Sequence, residues 1–310
     1  MDAPSEQSPV QLLAESEREI FELAALSYPR AIPKFMLVAW YVNKWVEPLL
    51  YRTIVFEDPI KAFPLFSRDI LLQKIYSKPS FFQTSVRHLS FANSRYHFSE
   101  WDLNAIFSSC SGIVNLLVDL PNPSVLVESF KNPLPLRRLS INLELFFHPS
   151  PVDFTHPNFS RLTHLEVFDL LREATAHKWA GLVALPQLTH LSFKSCSQIF
   201  PVFRRILETS GSLQILVILT NIRPSDIQGA KENELLQDPR FVVMVPLYHQ
   251  WDWQLGVHLG QDYWARAEHF VAQRKSGIVN TWFMASVEIF NRNSKDGLLR
   301  SLDGSRYRYS

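Results

Sequence analysis

Six short segments of this chain begin alike and recur at almost constant spacing. They are VRHLSFA from Val86, IVNLLVD from Ile113, LRRLSIN from Leu136, LTHLEVF from Leu162, LTHLSFK from Leu188 and LQILVIL from Leu213, with a weaker seventh, RFVVMVP, from Arg240. The steps between their first residues are 27, 23, 26, 26, 25 and 27. Such a period is typical of stacked repeats, whose units cannot bury their apolar face alone.

Between these segments lie stretches with helical spacing, such as WDLNAIFSSC from Trp101 and FPVFRRILETSGS from Phe200. Each unit is therefore predicted as a strand, a loop and a short helix. Strands connected in this way pair in parallel through right-handed crossovers. The sequence thus predicts an α/β fold: a solenoid with a curved parallel sheet and outer helices, preceded by a small helical module.

Composition excludes several classes of function. The net charge is +1, so the chain as a whole has no strong attraction for nucleic acid or an anionic membrane. It has only 9 glycines and neither a dinucleotide fingerprint nor a P-loop, and no residue stands in a recognisable nucleophile context. We predict no cofactor and no catalytic residue. Short apolar runs and a polar, acidic start favour an intracellular protein, cytoplasmic or nuclear.

The pattern divides the chain into five parts. We predict a disordered leader (1–15), a helical module (16–56), the repeat array (57–245), a C-terminal cap (246–290) and a flexible tail (291–310). In the helical module, Pro29 is expected to end the first helix. A second helix should begin near Ile32 and Pro33 and end at Pro48. DYWARAEHFVAQRK, within the cap, is predicted as an amphipathic helix.

The strand segments carry the L-x-x-L-x-L beginning of leucine-rich repeats, best seen in LTHLEV, LTHLSF and LRRLSI. Over roughly residues 80–246 the chain resembles that family. The resemblance implies a binding surface on the concave face of the array.

The helical module has its own resemblance. EIFELAALSYPRAIPKFMLVAWYVNKWVEPLLYRTIVF, residues 19–56, resembles an F-box of the fungal type, in which two helices lead into a Trp-containing turn and a Pro-Leu-Leu-Tyr segment. The resemblance implies binding to the adaptor of a cullin-based ubiquitin ligase. The matching residues proposed for adaptor binding are Ile20, Phe21, Trp45, Pro48 and Leu49. A helical cap for the array would explain the same apolar residues without any partner.

Alternation along each strand predicts which side chains reach the concave face, namely the third, fifth and seventh of each segment. The last strands are apolar there, and we expect the C-terminal segment to cover Ile215, Val217, Leu219, Val242 and Met244. The earlier strands are polar and are predicted to hold a protein partner, unless that face is only solvated. The predicted partner-binding residues are His88, Arg138, Asn142, His164, Glu166, Phe168, His190 and Lys194.

His164 and His190 should lie on adjacent strands roughly 5 Å apart, with Glu166 nearby. Two imidazoles at that distance could bind a transition-metal ion. We interpret the pair as a polar surface feature and predict no metal.

The leading hypothesis is a non-enzymatic interaction protein that resembles F-box/leucine-rich-repeat substrate receptors. One alternative is a repeat scaffold without a ligase link. The other is an enzyme on an irregular α/β fold.

Overall fold

The computed structural model describes residues 13–56, 63–64, 66–92, 98–169, 173–194, 200–220, 234–245 and 249–284. Most of the predicted leader, residues 1–12, and the whole predicted tail, 291–310, lie outside the described residues.

The described strands form one parallel sheet whose order follows the sequence. They are β1 (Thr53–Val55), β2 (His88–Ala92), β3 (Asn115–Asp119), β4 (Arg138–Ile141), β5 (His164–Val167), β6 (His190–Lys194), β7 (Ile215–Leu219), β8 (Phe241–Met244) and β9 (Phe283–Met284). The predicted α/β fold with a parallel sheet is confirmed. Strands β1 and β9, at the two edges, extend the sheet beyond the repeated segments.

The register confirms the predicted alignment as far as β7. One row of paired residues runs across the strands through Thr53, His88, Asn115, Arg138, His164, His190 and Ile215. At β8 the prediction is wrong by two residues, because Val242 pairs with Val217 and Met244 with Leu219. Since side chains alternate with period two, this shift leaves Val242 and Met244 on the predicted face. We call the face that carries this row the front face and the other the back face.

The back face holds the main hydrophobic core. The leucines of the L-x-x-L-x-L pattern are buried there, as Leu136, Leu139 and Leu165 illustrate. A chain of aromatic contacts runs beneath the sheet through Phe56, Phe91, Phe107, Phe130 and Phe146, and it resumes through Trp179, Phe193, Phe203 and Phe241. Stacked units therefore bury one continuous core, as a repeat array requires.

The connections place short helices against that core. They are α4 (Arg68–Ser77), α5 (Pro79–Ser85), α6 (Glu100–Ser109), α7 (Leu143–Phe147) and α8 (Phe200–Thr209), following α1 (Ala14–Ser27), α2 (Ile32–Phe35) and α3 (Trp40–Leu50) of the N-terminal module. Single 3₁₀ stretches occupy Pro29–Ala31, Pro123–Leu126, Ser129–Lys131, Pro157–Phe159, Glu173–Ala184 and Glu234–Gln237. Helices α6 and α8 confirm the helical stretches predicted from Trp101 and Phe200. Ser99 and Asp102 form a capping box at the start of α6.

The N-terminal module packs α1, α2 and α3 around a small core of Ala25, Ile32, Val42 and Val46. The predicted second helix is interrupted between α2 and α3, and Pro48 does not end it, since α3 continues to Leu50. Proline is disfavoured inside helices because it lacks an N–H group. Here Leu49 and Leu50 pack against the module core, and this packing outweighs the local preference.

The C-terminal segment forms α9 (His249–Leu259) and α10 (Tyr263–Lys275), and α10 confirms the predicted amphipathic helix. Both helices lie against the front face, and the chain then pairs β9 with β8. Helices thus pack against both faces of the sheet.

Candidate functional site

The apolar end of the front face is covered by α10, as predicted. Ile215, Val217, Leu219, Val242 and Met244 form a buried cluster with side chains of that helix. The helix contributes Tyr263, Trp264, Ala267, Phe270 and Val271 to the cluster. This arrangement removes a large apolar patch from water.

Part of the polar front face is also covered, which differs from the open surface expected there. Indole Nε1 of Trp253, on α9, donates to Oδ1 of Asn115 on β3 at 3.0 Å. Nη1 of Arg138 donates to Oδ2 of Asp262 at 2.6 Å. Polar side chains of the strands bind the chain's own helices, so they do not present an open face to a partner.

A buried acid lies at the centre of this interface. Glu166 is 2% exposed, accepts a hydrogen bond from Oγ of Ser140 at 2.8 Å, and has its Oε1 3.3 Å from Nδ1 of His249. Burial raises the pKa of Glu166 to about 8 and lowers that of His249 to about 3. Both groups are therefore favoured in their neutral forms at pH 7.

Glu166 and His249 line a small cavity between the strands and helices, together with Asn115, Ser140 and Tyr263. Its volume of about 10 Å³ is room for roughly one water molecule. The shifted pKa values in this cavity arise from burial, and the space is too small for an organic substrate.

The eight predicted partner-binding residues divide by position. Glu166 and His190 are buried, and His88, Arg138 and His164 are half-buried. Asn142, Phe168 and Lys194 lie at the carboxyl ends of β4, β5 and β6, where Asn142 and Phe168 are half-buried and Lys194 is exposed. Nζ of Lys194 lies 5.3 Å from the ring centroid of Phe168. These three residues form what we call the strand-end rim.

The predicted histidine pair is present, but its acidic neighbour differs from the one expected. The rings of His164 and His190 stack with centroids 4.1 Å apart. Glu166 hydrogen-bonds to Ser140 instead, while Glu268 of α10 places Oε1 3.2 Å from Nε2 of His190. Burial lowers the pKa of His164 to about 2 and that of His190 to about 4.

The five residues predicted for adaptor binding are mostly used inside the N-terminal module. Ile20 is exposed, whereas Phe21, Trp45, Pro48 and Leu49 are half-buried. The Phe21 ring packs against Phe35 with centroids 6.1 Å apart. The module also exposes apolar residues that are not among those matching the F-box motif. They are Leu23, Leu26, Leu37, Val38 and Trp40. The signal in the sequence was the number of apolar residues in so short a module.

Sequence reasoning also missed the residues that hold the C-terminal helices on the sheet, namely Trp253, Asp262 and Glu268. The aromatic-rich run WDWQLGVHLGQDYWARAEHF was the signal for them. Within the described residues, no helix is both long and apolar enough to cross a membrane. No protein-family model matches this chain, and a comparison with curated proteins finds no match.

Proposed function

We propose that this protein is a non-enzymatic interaction protein that resembles F-box/leucine-rich-repeat substrate receptors. Its N-terminal module, residues 16–56, binds the adaptor of a cullin-based ubiquitin ligase. The observation that carries the proposal is the exposed apolar surface of this module. The mechanism is proximity: the receptor holds a target protein near a ubiquitin-loaded partner, in the cytoplasm or nucleus, and does no chemistry itself.

The exposed apolar side chains are concentrated at one end of the protein. Among the described residues, nine of the seventeen exposed large apolar side chains lie between Leu13 and Tyr41. Leu37 and Trp40 are 86% and 72% exposed. Apolar surface of this density is typical of protein-binding sites, because leaving it in water is unfavourable.

The target side of the proposal uses the strand-end rim, because Glu166 and His190 are buried and Arg138 is paired with Asp262. The rim combines the ammonium of Lys194, the ring of Phe168 and the amide of Asn142. An aromatic ring beside a cation and an amide is a combination that suits a protein segment. A target held at the rim lies on the array and leaves the N-terminal module free for the adaptor.

The proposal is tested by binding of the full chain to a purified ligase adaptor, measured by calorimetry. We expect Ile20→Asp to weaken binding at least about tenfold, because it places a charge in the apolar surface. The matched control is Ile278→Asp, since Ile278 is 73% exposed and lies after α10. It should bind as the unchanged chain does. Absence of binding under conditions where a known F-box protein binds would refute the ligase link.

A second candidate function is a repeat scaffold whose N-terminal helices only cap the array. One observation favours it: Leu50 packs against both the module core and the main core, and the ring of Tyr51 stacks on Phe66 at 5.4 Å. The scaffold predicts that deletion of residues 1–56 unfolds the array, as judged by circular dichroism. Under the receptor proposal, Ile20→Asp weakens adaptor binding while the array remains folded.

A further inference from the structure

Two histidines and a glutamate meet where α10 crosses β5 and β6. His164 and His190 occupy paired positions on these strands, and their ring planes are 6° from parallel. Glu268 reaches the same point from α10. One ligand atom of each residue lies within 4.8 Å of the others.

In both histidines, Nδ1 has a hydrogen-bond partner and Nε2 has none among the described residues. Nδ1 of His164 lies 2.9 Å from Oγ1 of Thr163, and Nδ1 of His190 lies 2.8 Å from Oγ1 of Thr189. Each threonine hydroxyl is also within donor distance of a backbone carbonyl, at 3.0 and 3.1 Å. A hydroxyl that donates to the carbonyl accepts from Nδ1–H, which leaves the lone pair on Nε2.

Both Nε2 atoms are buried and have no hydrogen-bond partner among the described residues. Nε2 of His190 lies 3.2 Å from Oε1 of Glu268 without the alignment of a hydrogen bond. Two ligands about 2.0–2.1 Å from a tetrahedral ion are roughly 3.3 Å apart. The separation of these two atoms matches one edge of a tetrahedral site, and a ring nitrogen of His164 lies within 4.8 Å of both.

We propose that Nε2 of His164, Nε2 of His190 and the carboxylate of Glu268 bind a divalent transition-metal ion of the zinc class. Two imidazoles and one carboxylate are a ligand set that zinc accepts. The side chain of Glu268 is 52% exposed, so the ion lies near the surface and takes water as its fourth ligand. The bound ion links α10 to two strands and stabilises the C-terminal helices on the front face.

The surroundings of the two imidazoles bear on metal binding. Trp264 packs edge-on against both rings, with centroids 5.3 Å from His164 and 5.6 Å from His190. Because the two rings lie 6° from parallel, they turn about their side-chain bonds on binding so that both Nε2 lone pairs point at the ion. The nearby charge of Arg138 is already paired with Asp262.

The test is a calorimetric titration of the chelator-treated full chain with Zn²⁺, together with the visible spectrum of the Co²⁺-loaded chain. We expect one ion per chain, a tetrahedral Co²⁺ spectrum and a higher Tm with Zn²⁺. Glu268→Gln changes a half-exposed side chain and should fold normally, as circular dichroism checks. It should weaken binding at least about tenfold and remove the tetrahedral spectrum.

The matched control is His269→Gln, an exposed histidine next to Glu268 on the same helix. It should bind the ion as the unchanged chain does. His190→Gln, with folding checked in the same way, should lose binding. Three results would overturn the proposal: no binding by the unchanged chain, equal affinity in Glu268→Gln, or loss of binding in His269→Gln. Because no ligase adaptor takes part, the outcome is independent of the proposed function.

Discussion

Arg138 on β4 and Asp262 at the start of α10 form an ion pair at 2.6 Å, although 124 residues separate them in sequence. The same aspartate caps α10, because its Oδ1 accepts from the backbone N–H of Ala265 at 3.0 Å. One carboxylate thus both starts the covering helix and attaches it to the sheet.

This dual role makes Asp262→Ala more destabilising than Arg138→Ala. We expect losses in the free energy of unfolding of about 2 and about 1 kcal/mol, because only the aspartate change also removes a helix cap. Urea denaturation measures both. Arg18→Ala, which breaks the exposed pair with Glu22, is the control and should cost less than about 0.5 kcal/mol. Equal losses for Asp262→Ala and Arg138→Ala would contradict this prediction.

Gly256, in the middle of α9, is predicted to tolerate no side chain. A Cβ there would lie 2.5 Å from Oδ2 of Asp262, which the ion pair and the cap hold in place. We expect Gly256→Ala to lower the free energy of unfolding by about 2 kcal/mol, although alanine is the better helix former. Gly211→Ala is the matched control, because nothing lies within 4 Å of its Cβ position. An increase in stability on Gly256→Ala would contradict the close contact between Gly256 and Asp262.

The buried titratable groups predict a stability maximum. Five histidines have folded pKa values far below 6.5 because burial disfavours their charged form. They are His88, His164, His190, His249 and His258. As pH falls below about 6.5, the unfolded chain binds protons that the folded chain does not, and stability is lost.

Glu166 acts in the opposite direction. Its folded pKa of about 8 lies above the usual 4.5, so its contribution to stability is lost as pH rises between these values. Asp169 acts in the same sense, with a pKa raised to about 6 by burial. Together these groups predict maximum stability at about pH 7, measured as Tm across the pH range. Glu166→Gln should reduce the decline above the maximum. A protein that gains stability from pH 7 to pH 5 would contradict the burial of the histidines.

Asn158 connects two neighbouring units from inside the core. It is 1% exposed, its Nδ2 donates to the carbonyl of Phe130 at 2.8 Å, and its Oδ1 accepts from the N–H of Leu134 at 2.5 Å. Asn158→Ala leaves both backbone groups buried and unpaired. We expect a loss of about 2–4 kcal/mol in urea denaturation. Asn104→Ala, at an exposed asparagine on α6, should cost under about 1 kcal/mol, and a similar loss at both positions would argue against the connection.

The strands and their faces were predictable where polar and apolar residues alternate. His88, Arg138 and His164 lie in the predicted row because each follows the same leucine pattern. The register at β8 was not predictable, since Phe241–Met244 is apolar throughout and has no alternation that distinguishes one pairing from another. The predicted helix end at Pro48 was wrong for a related reason. The preference of proline is local, whereas α3 stays helical because of its packing against the module core.

The sequence by itself determined that the strands are parallel and repeated, that a leucine core lies on one side, and which residues line the front face. Only the tertiary structure decided what occupies that face. The alternation of side chains along a strand predicts the face to which each one points. The contacts of Arg138 and His190, however, depend on helices that come after the array in sequence. What covers the repeated polar row is therefore decided by long-range packing. Among the described residues, Glu166 and His190 are buried, Arg138 and His164 are half-buried, and Lys194 at the strand-end rim is exposed.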